Sequence, residues 1–204
     1  MSSRKIQNRK PLPVYALVGD GYSEKIYFDE LKTIEQLRNV QIKPDLPSRS
    51  GKGGSFMRVM QKAKELYTEG YDKVFCLIDF DAVIHENKTE EYKTEKGKLE
   101  KKGVIVLECN PCFEFWYLLH LQKTAKSFMN CESVVAHIKN TTELKDYSKE
   151  QSYQKLIYQK LRSKMPDAIE NASVLEQNRS LMGLNYPRAE VFKAIKELLS
   201  KNKR

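Results

Sequence analysis

Short apolar runs, each followed by a stretch of helical periodicity, fill the first 121 residues and constrain the fold more than any other feature of the chain. Residues 13–18 (PVYALV), 73–78 (KVFCLI) and 104–107 (VIVL) are runs of this kind, with a weaker one at Val40–Ile42. A run lacking polar alternation reads as a strand buried on both faces, which is the environment of a parallel sheet. Helical patterns lie between the runs, at residues 23–38, 56–69, 86–102 and from Pro111 to about Leu121. The spacing therefore predicts an α/β fold, a parallel sheet of about four strands with right-handed helical crossovers. Beyond about residue 128 only helical patterns are expected, near 131–140, 150–164, 167–176 and 187–200, with no further strand. The chain divides accordingly into a basic tail (1–12), an α/β domain (13–125) and a helical appendage (126–204) packed on it.

Charge follows this division. The net charge of +9 over 204 residues splits into +4 for residues 1–10, −2 for residues 11–121 and +7 for residues 122–204. Basic flanks suit a polyanionic partner, whereas the slightly acidic middle suits a cation. No apolar run is long enough for a membrane span or a signal peptide. Four cysteines in 204 residues do not make a disulfide scaffold, so the expected location is the cytoplasm.

Open parallel sheets bind ligands at the carboxyl ends of their strands, and three clusters of acids fall there. The first run ends in Gly19-Asp20-Gly21-Tyr22-Ser23-Glu24. The third glycine of a dinucleotide fingerprint is missing, and a carboxylate at that turn would repel a pyrophosphate. Taken alone, Asp20 reads as a turn residue and Glu24 as an acid that complements a helix dipole. The second cluster is Asp79-Phe80-Asp81, whose carboxylates share one side if the chain stays extended. Two such groups at a buried strand end repel each other, and a hard divalent ion relieves the repulsion. With Asp20 and Glu24 supplied by a neighbouring strand, Asp79 and Asp81 are expected to bind a divalent metal such as Mg2+ or Mn2+. The third cluster runs from Glu108 to His120 (ECNPCFEFWYLLH), with Asn110 as an N-cap and Pro111 as the first helical residue. Glu114 would lie within reach of the metal, and His120 reads either as a packed histidine or as a general acid/base. Cys109 and Cys112 form a CxxC that could carry thiol redox chemistry, although it follows a fourth strand and lacks the second ligand pair of a zinc site.

Asp20–Glu24 with Tyr27 and Phe28, the triplet Asp79–Asp81 and the element Asn110–His120 together resemble the RloB-like family, as does the closing stretch 185–199. The resemblance implies a Toprim catalytic domain, found in restriction and abortive-infection loci that defend against phage. It implies magnesium-dependent cleavage of phosphodiester bonds, with the family's glutamate falling on Asp20, its DxD on Asp79 and Asp81, and a second acid on Glu24. The expected catalytic set is therefore Asp20, Glu24, Asp79, Asp81, Glu114 and His120. Arg49 and Lys52, in the loop Pro44–Ser55, would contact nucleic acid. DNA or RNA is the implied partner, and an ATPase encoded alongside is a second. Two alternatives stay open, a non-catalytic nucleic-acid-binding subunit and a haloacid-dehalogenase-type phosphotransfer enzyme in which Asp79 is the nucleophile.

Overall fold

The computed structural model describes residues 12–38, 41–47, 55–183 and 186–202. The α/β half runs β1 (Val14–Val18), α1 (Tyr22–Ile34), β2 (Gln41–Asp45), α2 (Ser55–Thr68), β3 (Lys73–Asp79), α3 (Phe80–His85), α4 (Thr89–Lys102), β4 (Ile105–Asn110) and α5 (Glu114–Leu121). There follow α6 (Cys131–Thr141), α7 (Gln151–Leu161), a single 3-10 turn, α8 (Met165–Met182), β5 (Arg188–Ala189) and α9 (Val191–Asn202). The sheet order is β2-β1-β3-β4-β5, the first four strands parallel and β5 antiparallel to β4. Pro44, which cannot donate to a ladder, sits in the edge strand β2, where its missing donor is tolerated.

The pleat sorts the apolar runs onto two faces. Tyr15, Leu17, Phe75, Leu77 and Leu107 face one core, which holds α1 and α5 together with side chains from α6 to α9. Ala16, Val18, Val74, Cys76, Ile78 and Val106 face the other, against α2, α3 and α4. The C-terminal helices are thus the covering layer of one sheet face, in the same core as α1. Among the described residues, no helix is long and apolar enough to cross a membrane.

Two expectations need correction. A fifth strand exists where none was expected. It is two residues long and pairs Ala189 with Cys109 and Arg188 with Asn110. Its sequence carries no apolar run because Arg188 is buried by ion pairing, which hydropathy cannot register. The helix expected from Pro111 begins at Glu114, its N-cap is Phe113, and the Asn110–Pro111 bond is cis. Asn110 instead ends β4, and its side chain donates to the Tyr186 carbonyl at 3.0 Å.

The β5 edge is fixed by a buried ion network. Glu108, 2% exposed, accepts from Arg188 Nε at 2.6 Å, Lys96 Nζ at 2.7 Å, Arg179 Nη2 at 2.8 Å and Tyr92 Oη at 2.8 Å. Burial opposes its charge, but Arg188, Lys96 and Arg179 prevail and bring its pKa down to about 2. Glu190 receives Arg179 Nη1 at 2.6 Å and Lys193 Nζ at 2.9 Å, and accepts from the Glu108 backbone N–H at 2.8 Å. The Arg188 guanidinium lies 4.2 Å from the Phe80 ring centre, so this network also seats the residue between Asp79 and Asp81.

Candidate metal centre

At the carboxyl edge of the sheet, the turn after β1 carries the chain through Gly19, Asp20 and Gly21 into α1, whose first turn holds Glu24. The Glu24 side chain folds back over this turn. A Cβ at Gly19 would lie 3.1 Å from Glu24 Cβ and Cγ, and one at Gly21 would lie 2.9 Å from Glu24 Oε2. The two glycines leave the room that the carboxylate occupies. Replacing Gly21 by alanine should therefore push the Glu24 carboxylate aside at little cost in stability, since only a side-chain end must move. The expected result is a melting temperature near wild type without metal and a reduced rise on adding Mn2+, read by thermal denaturation.

β3 delivers Asp79, and α3 begins at once, so strand alternation does not set the relation of Asp79 to Asp81. Asp81 is held at both ends. Its backbone N–H donates to the Pro111 carbonyl at 3.0 Å, and its Oδ2 accepts from the Cys131 N–H at 3.0 Å. β4 and the turn after it place Glu114 in the first turn of α5, 2% exposed. Glu114 Oε1 accepts from Tyr147 Oη at 3.1 Å and lies 2.9 Å from Lys149 Nζ, while its Oε2 faces Cys131 Sγ at 3.0 Å.

These acids lie near enough to raise one another's pKa. Burial pushes Glu24 up to about 7; its own backbone N–H opposes the rise, and Glu114 and Asp20 add to it. Burial, then Glu24, Glu114 and Asp81, hold Asp79 well above the usual carboxylate range. Asp81 is raised by burial and restrained by N–H donors from Cys131 and Ala82. Lys149 loses solvation, yet Glu114, Asp79 and Glu24 hold its pKa above the ordinary value. Four acids near one ammonium are poorly compensated, even with Asp79 and Asp81 only partly buried and Lys149 exposed, and a dication would reduce that cost. Carboxylate oxygens are the hard donors that Mg2+ or Mn2+ takes, but no three of these carboxylates bring ligand atoms within 4.8 Å of one another, so their side chains would have to move to share one ion.

The structure distributes the expected residues unevenly. Glu24, Asp79, Asp81 and Glu114 lie on one edge and influence one another's charge, but they do not form a closed ligand set. Asp20 is exposed, and it interacts chiefly with Arg58 and Glu86 instead of Asp79. Glu24 is the buried acid of this turn and Asp20 the exposed one. The flanking glycines were the signal that a side chain folds over this turn.

His120 lies six residues beyond Glu114, about 9 Å along the helix axis. It is 3% exposed, and its Nδ1 lies 2.9 Å from the Trp116 carbonyl. Burial brings its pKa down to about 4, against the Trp116 bond and with Lys164. It is a packed neutral histidine, apart from the carboxylates. Glu114 to His120 are buried on every face of α5, which makes this helix part of the core. Arg49 and Lys52 lie outside the described residues.

The CxxC does not pair with itself. Cys109 is a buried free thiol with its pKa pushed well up by burial, and Cys112 is bonded to Cys131, the first residue of α6. Tyr147, Lys149 and Cys131 are site residues that sequence reasoning missed. They lie in or beside loops with no motif, and only the docking of α6 beside α5 brings them in. Glu190, the acid that follows β5, is engaged by Arg179 and Lys193.

The family described as RloB-like protein matches residues 15–198, nine-tenths of the chain. No curated protein and no solved structure matches.

Proposed function

The chain belongs to the RloB-like family, and from that premise and its strand-end carboxylates we propose a metal-dependent, Toprim-type nuclease of an anti-phage defence system. What supports the reading is the placement of Glu24, Asp79, Asp81 and Glu114 at or just after the carboxyl ends of β1, β3 and β4, near enough to raise one another's pKa, although no three of them bring ligand atoms within 4.8 Å of one another without side-chain movement. Glu24, Asp79 and Asp81, with Glu114 beside them, would hold Mg2+ or Mn2+. When bound, the ion supplies Lewis-acid polarisation of a phosphate and lowers the pKa of a water. Asp81 is oriented for this role by the Cys131 N–H, and Glu114 by Tyr147 and Lys149. Lys149 has a side chain more than half exposed, so it can turn from Glu114 toward a phosphate oxygen of the substrate. Asp20 is exposed beside Glu24, and would reach the ion only if its side chain turned inward or through a water. The basic segment 122–204 suits the nucleic-acid backbone, and the resulting binding should weaken steeply with salt. The ATPase partner implied by the family would act on this same unit.

The test is cleavage of plasmid DNA and of RNA by purified protein in Mg2+ or Mn2+, alone and with an ATPase encoded alongside. Cleavage that vanishes in chelator and in Glu24→Gln supports the reading. Equal activity in the variant, or none with any metal or partner, overturns it.

Proton linkage gives an independent check. Glu24 titrates near 7 in the native state and lower when unfolded, so between those values the native chain binds the extra proton. Metal-free stability from this group therefore falls as pH rises through about 7, by roughly 3 kcal/mol in all. His120 has the opposite sign: its native pKa is depressed, so its penalty grows as pH falls below its unfolded value. Comparing wild type with Glu24→Gln isolates the first effect. In chelator the variant should gain on wild type as pH rises from 5 to about 8, as read from thermal melts. Metal displaces the same proton, so apparent Mg2+ affinity should rise over this window in wild type.

A further inference from the structure

The residues that hold the acids in place include a sulfur pair that the proposed chemistry does not use. Cys112 lies between Pro111 and Glu114, and Cys131 opens α6. Their sulfurs are bonded, with the Cα atoms 5.4 Å apart, inside the ordinary range for a disulfide. Each half of the pair adjoins one anchor of Asp81. Pro111, next to Cys112, accepts from the Asp81 N–H, and Cys131 itself donates to Asp81 Oδ2. The bond therefore fixes the two anchors relative to each other. Cys131 Sγ also stands 3.0 Å from Glu114 Oε2 and 3.4 Å from Lys149 Nζ.

These contacts differ in kind between the two oxidation states. A bonded sulfur has no hydrogen, so Glu114 Oε2 keeps an open lone pair toward the cluster. A free Cys131 thiol has one, and at 3.0 Å the carboxylate oxygen is its acceptor. Reduction would thus cap Glu114 Oε2 and uncouple the two anchors of Asp81.

We propose that Cys112–Cys131 is a reversible disulfide that sets the metal affinity of the adjoining carboxylates, high when oxidised and low when reduced. This rests on the reading of those carboxylates as a metal site. In the forward step the two thiols lose two protons and two electrons and form one S–S bond. Hydrogen peroxide as oxidant takes up both and becomes two waters. In the reverse step a dithiol attacks one sulfur, and a second exchange releases both cysteines as thiols while the dithiol closes to its own disulfide.

The experiment compares the full-length protein after peroxide treatment and after reduction by a phosphine, with reagents removed. Intact mass with alkylation counts the thiols, and calorimetric titration with Mn2+ gives the affinity. The expected result is two fewer alkylatable thiols in the oxidised form and about tenfold tighter Mn2+ binding than in the reduced form, a typical coupling. Cys112→Ala keeps the Cys131 thiol and Cys131→Ser keeps a hydroxyl donor, so both should bind as the reduced protein does, whatever the treatment. Equal Mn2+ affinity in both wild-type forms overturns the switch and leaves the metal site standing. No Mn2+ binding in either form overturns both. A reduced protein that takes up Zn2+ and thereby protects both thiols from alkylation also overturns it. The pair would then be metal ligands with Glu114, whose ligand atom lies within 4.8 Å of both sulfurs.

Discussion

Asp79→Asn is expected to abolish Mg2+- or Mn2+-dependent cleavage, by about 10³-fold or more, while making the metal-free protein more stable. The two effects share one cause. Asp79, partly buried at the end of β3, has its charge suppressed by desolvation and by Glu24, Glu114 and Asp81. An amide keeps the shape and removes the repulsion, so in chelator the folded state gains. It also removes a hard anionic ligand. Loss of the several kcal/mol that a well-held ion contributes to a phosphoryl transition state corresponds to three or more decades in rate. Cleavage assays and thermal melts with and without metal check both halves. A purely structural role for Asp79 would give lower stability in chelator, the opposite sign. Unchanged cleavage with raised stability would leave the fold account intact and remove Asp79 from the chemistry.

The second large effect concerns Glu108, which lies outside the proposed metal site. Glu108→Ala should lower stability by about 3–5 kcal/mol, because it strands the buried cations that converge on this acid. For a domain of this size that is a fall of roughly 10 °C in melting temperature. The pH dependence has a definite sign. Glu108 has its pKa depressed to about 2 in the native state, so its contribution is complete above the unfolded value of about 4.5 and fades as pH falls toward 2. Wild type and variant melts should therefore converge in acid. Arg179→Met, at a half-buried position with Arg188 and Lys96 still in place, should cost much less. If Glu108→Ala lies within about 1 kcal/mol of wild type, the network does not hold β5 to the sheet.

What could be read in advance follows from how each contact is encoded. The runs VYALV, KVFCLI and VIVL mark strands buried on both faces, and hydropathy along the chain reports such burial directly. That Asp79, Asp81 and Glu114 lie at one edge was legible because the carboxyl ends of parallel strands point to one edge. Glu24 was harder, since its entry into the site depends on a side chain folding over two glycines, and Asp20 sits at the more obvious position. β5 was invisible because its burial rests on Arg188 meeting Glu108, 80 residues away, a pairing that no local pattern carries. Cys131, Tyr147 and Lys149 were invisible for the same reason: they reach the site through the docking of whole helices.

The separation of Glu108 from Arg188 also sets a schedule for the nascent chain. At ribosomal rates of about 5–20 residues per second, Arg188 is made some 4–16 s after Glu108. For most of that interval β4 has Tyr92 and Lys96 but neither arginine, Arg179 arriving nine residues before Arg188, and the edge that will receive β5 is open. The carboxylates of Asp79 and Glu114 are already synthesised in that interval, but the network that seats Phe80 between Asp79 and Asp81 is not. Completion of the proposed metal centre is thereby tied to the synthesis of Arg188, 80 residues after Glu108.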